Sequence, residues 1–155
     1  MEIIMAAWLT EIEIENELSY TISATTKPTS TATVAIISSI QATCEGVLNA
    51  LKIDASAIDE TTTPNTFKVV QQWALWGCSA RVLAAAGGVI RSQPQKEREY
   101  WVRFNEMWHD LKEDPNILGS DTPYLTSDED IVSPDGLVST DSDYDAPEFT
   151  MGMEF

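Results

Sequence analysis

The sequence PNTFKVVQQWALWGCSARVLAAAGG at residues 64–88 is apolar nearly all round in its second half. A helix with apolar side chains on every face is buried among other elements, whereas a surface helix keeps one polar face. Small residues at Gly77, Ala80 and Ala84 would let a neighbouring helix approach closely. This stretch therefore predicts the central helix of the fold.

The same stretch carries its own boundary signals. Thr63 is a favourable N-cap residue, and Pro64 suits the first helical position because its missing amide hydrogen costs nothing there. The glycine pair that starts at Gly87 is a typical helix end. We expect the helix to run from Pro64 to about Ala86, with Thr63 as its cap. Arg81 is the one charge in the Ala-rich part, and it either reaches out to solvent or pairs with a carboxylate.

Three further helices are predicted around this element. Thr10 and Glu13 have capping-box spacing and start a short helix over Glu11–Leu18, although the alternating Glu and Ile residues would also suit a strand. An apolar stripe with a spacing of three or four residues predicts a helix over Thr33–Leu51, and an aromatic stripe predicts another over Gln95–Leu111. The predicted fold class is all-α: a small antiparallel bundle of three main helices plus a short N-terminal helix.

The C-terminal residues 119–155 differ sharply from the rest of the chain. They contain ten acids and no Lys or Arg, and so carry most of the net charge of -16. Apolar residues are spaced between the acids, which favours an arm that is disordered alone and folds against a partner; a solubilising tail is the alternative. We divide the chain into a helical domain, 1–118, and an extended acidic arm, 119–155. The predicted anchors of the arm are Tyr124, Leu125, Ile131, Leu137, Tyr144 and Phe149.

The reactive residue types are too few to build a familiar active site. Cys44 and Cys78 lie within apolar helical patterns and are predicted to be buried thiols. His109 is the single histidine and is expected to have a surface or packing role. With no metal-ligand spacing, catalytic triad or phosphate loop, we expect no enzyme activity, no metal and no cofactor. The acidic start and the broken apolar runs also predict no signal peptide and no membrane span.

The order of these features resembles the head-to-tail connector, or adaptor, proteins of tailed bacteriophages. The resemblance is one of pattern and helix order over about two thirds of the chain, from Trp8 to Leu118. The segments that carry it are Trp8-Leu9-Thr10, residues 23–29 (SATTKPT), Gly46-Val47-Leu48, the helical stretches 67–86 and 97–111, and residues 114–118 (DPNIL).

The resemblance implies a structural virion protein, made in the host cytoplasm and located at the neck of the virion. Such proteins form a ring, usually of twelve copies, beneath the portal protein at the capsid vertex. The ring extends the DNA channel and offers a surface to which a stopper or tail-completion protein docks. Members of the family use C-terminal segments to grip the portal, which is a role that the acidic arm could serve.

Three predictions about surfaces accompany this interpretation. The chain has nine basic and 25 acidic residues, which is too little positive charge for a DNA-binding surface. DNA is therefore expected to pass through the channel without tight binding. The residues Glu11, Glu13, Glu15 and Glu17 would form an acidic channel wall, or else simply a solvated helix face. Trp76 falls off the apolar stripe of the central helix and is our candidate for a subunit contact, with core packing as its alternative.

Two other functions are compatible with the composition. An acidic protein can mimic DNA and inhibit a DNA-binding enzyme, although here the acids are concentrated in the arm and are not arrayed on helices. A stopper or tail-completion role would keep the protein in the virion, but those proteins more often use β-rich barrels.

Overall fold

The computed structural model describes residues 7–87 and 93–125, and the all-α prediction is confirmed there. The elements are α1 (Glu11–Leu18), α2 (Ser30–Ala50), α3 (Pro64–Ala86) and α4 (Gln93–Glu113), with short 3₁₀ turns at Ala55–Ala57 and Pro115–Leu118. Helices α1 and α3 have the predicted bounds, whereas α2 begins three residues and ends one residue earlier than predicted, and α4 extends further at both ends.

Helix α1 is a helix and not a strand because its apolar residues follow helical spacing. Ile14 and Leu18 are four residues apart and are both buried. Glu13 reaches back to accept hydrogen bonds from the amide and hydroxyl of Thr10, which is the arrangement that the capping-box spacing predicted.

The main helices are antiparallel, as their cross-contacts show. Gly77 of α3 faces Phe104 near the middle of α4, while Asp121, which follows the 3₁₀ turn after α4, meets the start of α3. On the other side, Ile40 of α2 faces Gly77, and Arg81 donates to Ser39 Oγ at 3.2 Å. Arg81 is exposed, so the alternative in which its guanidinium reaches out to solvent is the correct one.

The centre of the core is an aromatic cluster around Phe104. Its ring stacks on Trp73 with centroids 5.4 Å apart, and Trp101 and Trp108 meet it edge-on at 5.7 and 6.3 Å. The indole Nε1 of Trp73 donates to the Phe104 carbonyl at 3.1 Å, so the polar atom of this fully buried side chain is satisfied. The cluster joins α3 to α4 through both packing and a hydrogen bond.

Gly77 is a point at which a side chain of α4 lies against the backbone of α3. A methyl group placed there would lie 2.8 Å from the Phe104 ring, which is closer than real Cβ atoms come to a neighbour, and 3.0 Å from Ile40, which is a tight contact. The glycine therefore allows the side chains of two flanking helices to reach the backbone of α3, as the small-residue pattern predicted.

The cap of α3 differs from the sequence prediction. Thr63 occupies the N-cap position, but its hydroxyl is used by the preceding loop, where it accepts from the Asp59 amide at 2.8 Å and donates to the Asp59 carbonyl. Asp121 caps the helix instead, accepting from the amides of Asn65 and Thr66 at 2.9 and 3.0 Å and from the Thr66 hydroxyl at 2.7 Å. A residue distant in sequence thus replaces the local cap.

The packed unit continues past the predicted domain boundary at Leu118. Besides the Asp121 cap, the Asp54 amide donates to the Pro123 carbonyl at 2.7 Å, and Tyr124 pairs with Ile53 in an isolated antiparallel bridge. The compact unit accordingly ends at Tyr124. Residues 119–124 belong to the fold because backbone and side-chain hydrogen bonds hold them, although their composition matches that of the arm.

The two helix-interior glycines Gly77 and Gly46 should respond oppositely to alanine. Gly77→Ala places a methyl group against Phe104 and should lower the free energy of unfolding by about 1–3 kcal/mol. Gly46 has open space around its Cβ position, so Gly46→Ala should raise it by about 0.5–1 kcal/mol through helix propensity alone. Urea unfolding followed by circular dichroism measures both; equal effects of the two substitutions would contradict the close approach at Gly77.

The Asp121 cap should make stability depend on pH. Hydrogen bonds from Thr66 and Asn65 hold the pKa of Asp121 below its ordinary value. A depressed pKa means that the stabilisation is complete above the ordinary carboxyl pKa and is lost as pH falls through the lower, folded-state value. Asp121→Ala should lower Tm at neutral pH. The difference in Tm between this variant and the natural chain should become smaller in acid, where the carboxyl group of Asp121 is protonated. Asp114→Ala, which removes a local cap with only one amide partner, is the matched control.

Candidate functional site

The N-terminal segment is anchored to two helices of the bundle. Trp8 and Leu9 are buried, and the Trp8 amide donates to Gln41 Oε1 of α2 at 3.0 Å. Gln71 of α3 donates through Nε2 to the Trp8 carbonyl at 2.9 Å. These contacts hold α1 across α2 and α3 and so determine which side of the molecule it covers.

The four glutamates of α1 do not share one face of the helix. Residues two apart on an α-helix point about 200° apart, so every second residue alternates between two sides. Glu11 and Glu15 lie on one side of the buried Ile14 stripe, and Glu13 and Glu17 lie on the other. The carboxylates are therefore distributed over two sides of α1, and the acidic channel wall stays a prediction.

Each of these carboxylates also has a partner within the fold. The bonds are Ser30 Oγ to Glu11 at 3.1 Å, Gln71 Nε2 to Glu13 at 3.0 Å, the Ile22 amide to Glu15 at 2.6 Å and Tyr100 Oη to Glu17 at 2.9 Å. The glutamates thus connect α1 to α2, α3, α4 and the following loop. A role for any of them in facing a channel stays a prediction.

The hydrogen bond from Tyr100 of α4 to Glu17 of α1 contributes to a raised pKa of Tyr100. Burial, followed by the hydrogen bond to Glu17, raises the pKa of Tyr100 to about 12. The phenol therefore remains a donor to Glu17 across the whole neutral and mildly alkaline range.

The outer face of α1 carries an isolated apolar side chain. Ile12 lies opposite the buried stripe and is 64% exposed, which makes it the most exposed large hydrophobic residue in the described part of the chain. The carboxylates of α1 flank it on both sides.

Trp76 is half-buried on α3. It lines a shallow depression of about 120 Å³ together with Arg103, Glu106, Met107 and Asp110 of α4. Its indole packs against the core on one side and remains partly accessible on the other. This position is compatible with both of the roles proposed from the sequence, so the subunit contact stays a prediction.

Two of the six predicted arm anchors lie within the described residues. Tyr124 and Leu125 are 49% and 41% exposed, and the backbone of Tyr124 is held by its pairing with Ile53. The remaining anchors, Ile131, Leu137, Tyr144 and Phe149, lie outside the described residues.

An apolar groove lies between the C-terminal ends of α2 and α4. Its volume is about 380 Å³, and no acid lines it. Lys112 stands over the Trp108 ring at 5.1 Å from the ring centroid, and the buried Nε1 of Trp108 has no hydrogen-bond partner. The lining residues are Thr43, Gly46, Val47, Ala50, Leu51, Trp108 and Lys112. Sequence reasoning missed this groove because it requires the meeting of two helix ends that are distant in the chain.

The two cysteines are buried and free, as predicted. Burial raises the pKa of Cys78 to about 12, and burial together with the nearby Cys78 and Glu45 also raises the pKa of Cys44. His109 is exposed, and its Nε2 lies 3.2 Å from Glu113. Within residues 7–87 and 93–125, no group of three or more His, Cys, Asp or Glu side chains is placed to hold a metal ion.

Helix α2 is the one described helix that is long and apolar enough to cross a membrane by length and composition, with a mean hydropathy of 1.2. One of its faces packs in the core through Ile37, Cys44 and Leu48. Core helices of soluble proteins have the same length and composition, so these two properties are shared by buried helices and membrane-spanning helices.

Comparison of the chain with protein-family models, with curated proteins and with solved structures finds no match.

The buried thiols should report on opening of the bundle. With both pKa values raised, Cys44 and Cys78 should react with a thiol reagent at pH 8 only when the core opens, so labelling of the native chain should be at least about a hundredfold slower than in denaturant. Mass spectrometry of time-quenched samples measures the rate for each residue. Rapid labelling of either thiol in the folded chain would contradict its burial.

Proposed function

We propose that this chain is a structural subunit of a phage head-to-tail connector, which forms a ring beneath the portal and extends the DNA channel. The observation that carries the proposal is the order of the helices. A short capped helix is followed by a long helix with one buried face, then by the most buried helix, and then by an amphipathic helix that ends just before Asp114-Pro115. This is the order on which the resemblance to connector proteins rests.

The distribution of charge supports the same function. After Leu125 the chain has nine acids and no Lys or Arg, while apolar residues continue at intervals. The acids would keep the subunits soluble and repel DNA in the channel, and the apolar residues would contact the portal or a tail-side ring. Many copies of a weak arm in one ring would attach with high avidity, because each contact after the first is effectively intramolecular.

The boundary of the packed unit determines where a truncation should be made. A chain that ends at Leu125 keeps the Asp121 cap and the pairing of Tyr124, whereas a chain that ends at Leu118 loses both. We expect the first truncation to keep the Tm of the full chain but to lose most of its co-sedimentation with purified portal rings. The second truncation should lower Tm as well.

The pair of truncations separates attachment from folding. Full attachment by the chain that ends at Leu125 would refute the role of the arm. A full-length protein that forms no ring in electron micrographs, either alone or mixed with portal rings, would refute the connector function itself.

A further inference from the structure

Gly46 is a helix-interior glycine that nothing in the fold requires. It is exposed, its Cβ position has no neighbour within 4 Å, and its backbone is ordinary α-helix. Such a glycine destabilises a helix relative to alanine, because it loses more backbone freedom on folding. The Phe104 ring leaves no room for a side chain at Gly77, whereas no neighbouring atom excludes a side chain at Gly46. What Gly46 does provide is depth in the groove between α2 and α4, since it is part of the lining.

The groove suits an apolar side chain accompanied by negative charge. Val47, Ala50 and Leu51 supply an apolar floor beside the Trp108 ring. Lys112 is the one charged residue of the lining, and it is exposed. An occupant that combined an apolar tip with flanking carboxylates would match both properties.

The outer face of α1 has this combination. Ile12 is the most exposed large hydrophobic residue in the described part of the chain, and the four glutamates of α1 flank it with no Lys or Arg in that helix. Their hydrogen-bond donors inside the fold are hydroxyl, amide and phenol groups, none of which is a cation that would compete with a lysine of another copy.

The two surfaces lie on opposite sides of α2. Helix α1 is fixed to the side that carries Gln41, through the Trp8 amide. The groove is on the side that carries Thr43 and Ala50, which are about 200° and 180° away from Gln41 around the helix. A copy cannot therefore fill its own groove with its own α1, but it can fill the groove of its neighbour.

We propose that the groove between α2 and α4 receives the outer face of α1, with Ile12 inserted, from a second copy of this chain. The contact is heterologous, since it joins two different surfaces, and repetition of such a contact produces a ring when the rotation closes. It also brings together copies of a chain with a net charge of -16 by placing an acidic helix in a groove whose lining contains a lysine and no acid. The inference rests on the proposed function, in which copies of the chain meet around a channel, and it specifies the surfaces that meet.

The test is site-directed crosslinking of the full-length chain at high protein concentration and after mixing with portal rings. Ile12→Cys and Ala50→Cys are combined in one chain and joined with a short bismaleimide; the natural cysteines are buried. A head-to-tail contact predicts a ladder of covalent oligomers. Val102→Cys with Ala50→Cys is the matched control, because Val102 is also an exposed apolar residue but is not in α1. No ladder above the control, in either setting, overturns the proposal.

A second set of variants tests the groove without crosslinking. Gly46→Leu fills it, and the fold should survive because the Cβ position is open. We expect Tm to be unchanged or raised while the association constant, from sedimentation velocity of the chain alone or from cooperative loading on the portal, falls by about tenfold or more. Lys112→Glu should weaken association in the same way, and Val102→Ser should not. Undiminished association of Gly46→Leu overturns the proposal.

The outcomes separate this inference from the connector function. Rings on the portal without an Ile12 to Ala50 crosslink would refute the contact and leave the connector function standing. A crosslinked ladder formed by a protein that never binds portal rings would support the contact and refute the function.

Discussion

The close approach of Phe104 to the backbone of α3 at Gly77 governs the arrangement of the other helices. With no side chain at Gly77, the Phe104 ring sits directly against α3 and stacks on Trp73, while Ile40 of α2 reaches the same position from the other side. One glycine thus sets the spacing of α3 from both of its main neighbours. The consequences extend to the groove, because the distance between the ends of α2 and α4 depends on how closely each packs on the helix between them.

Much of the helical fold could be predicted because it depends on local signals. The bounds of α3 follow from Pro64 and Gly87, the latter in the left-handed conformation with φ of 62°, and the start of α1 follows from the Thr10 capping box. The start of α2 was predicted less well. Thr29 caps it by accepting from the Ala32 amide, but it lies in a run of Thr and Ser residues that offer equivalent caps, so local sequence could not choose among them.

What the sequence did not reveal depends on contacts between distant residues. Asp121 caps α3 across more than fifty residues, and in the sequence it looks like one more acid of the arm. The glutamates of α1 looked like a unit because they alternate, yet alternation distributes them to two sides of a helix. The groove is formed by Trp108 and the end of α2 together, and neither segment alone indicates it. Helix packing determines these features, whereas sequence periodicity determines the helices themselves.

The position of Asp121 has a mechanical consequence. Any tension on the chain beyond Leu125 is transmitted along the backbone to Tyr124, Pro123 and Asp121 before it reaches a helix. There the three hydrogen bonds of the cap and the bond between Asp54 and Pro123 hold the segment to the fold. Asp121 attaches it to the amino end of α3, the most buried helix. Unravelling of the chain from this end therefore requires these hydrogen bonds to break first.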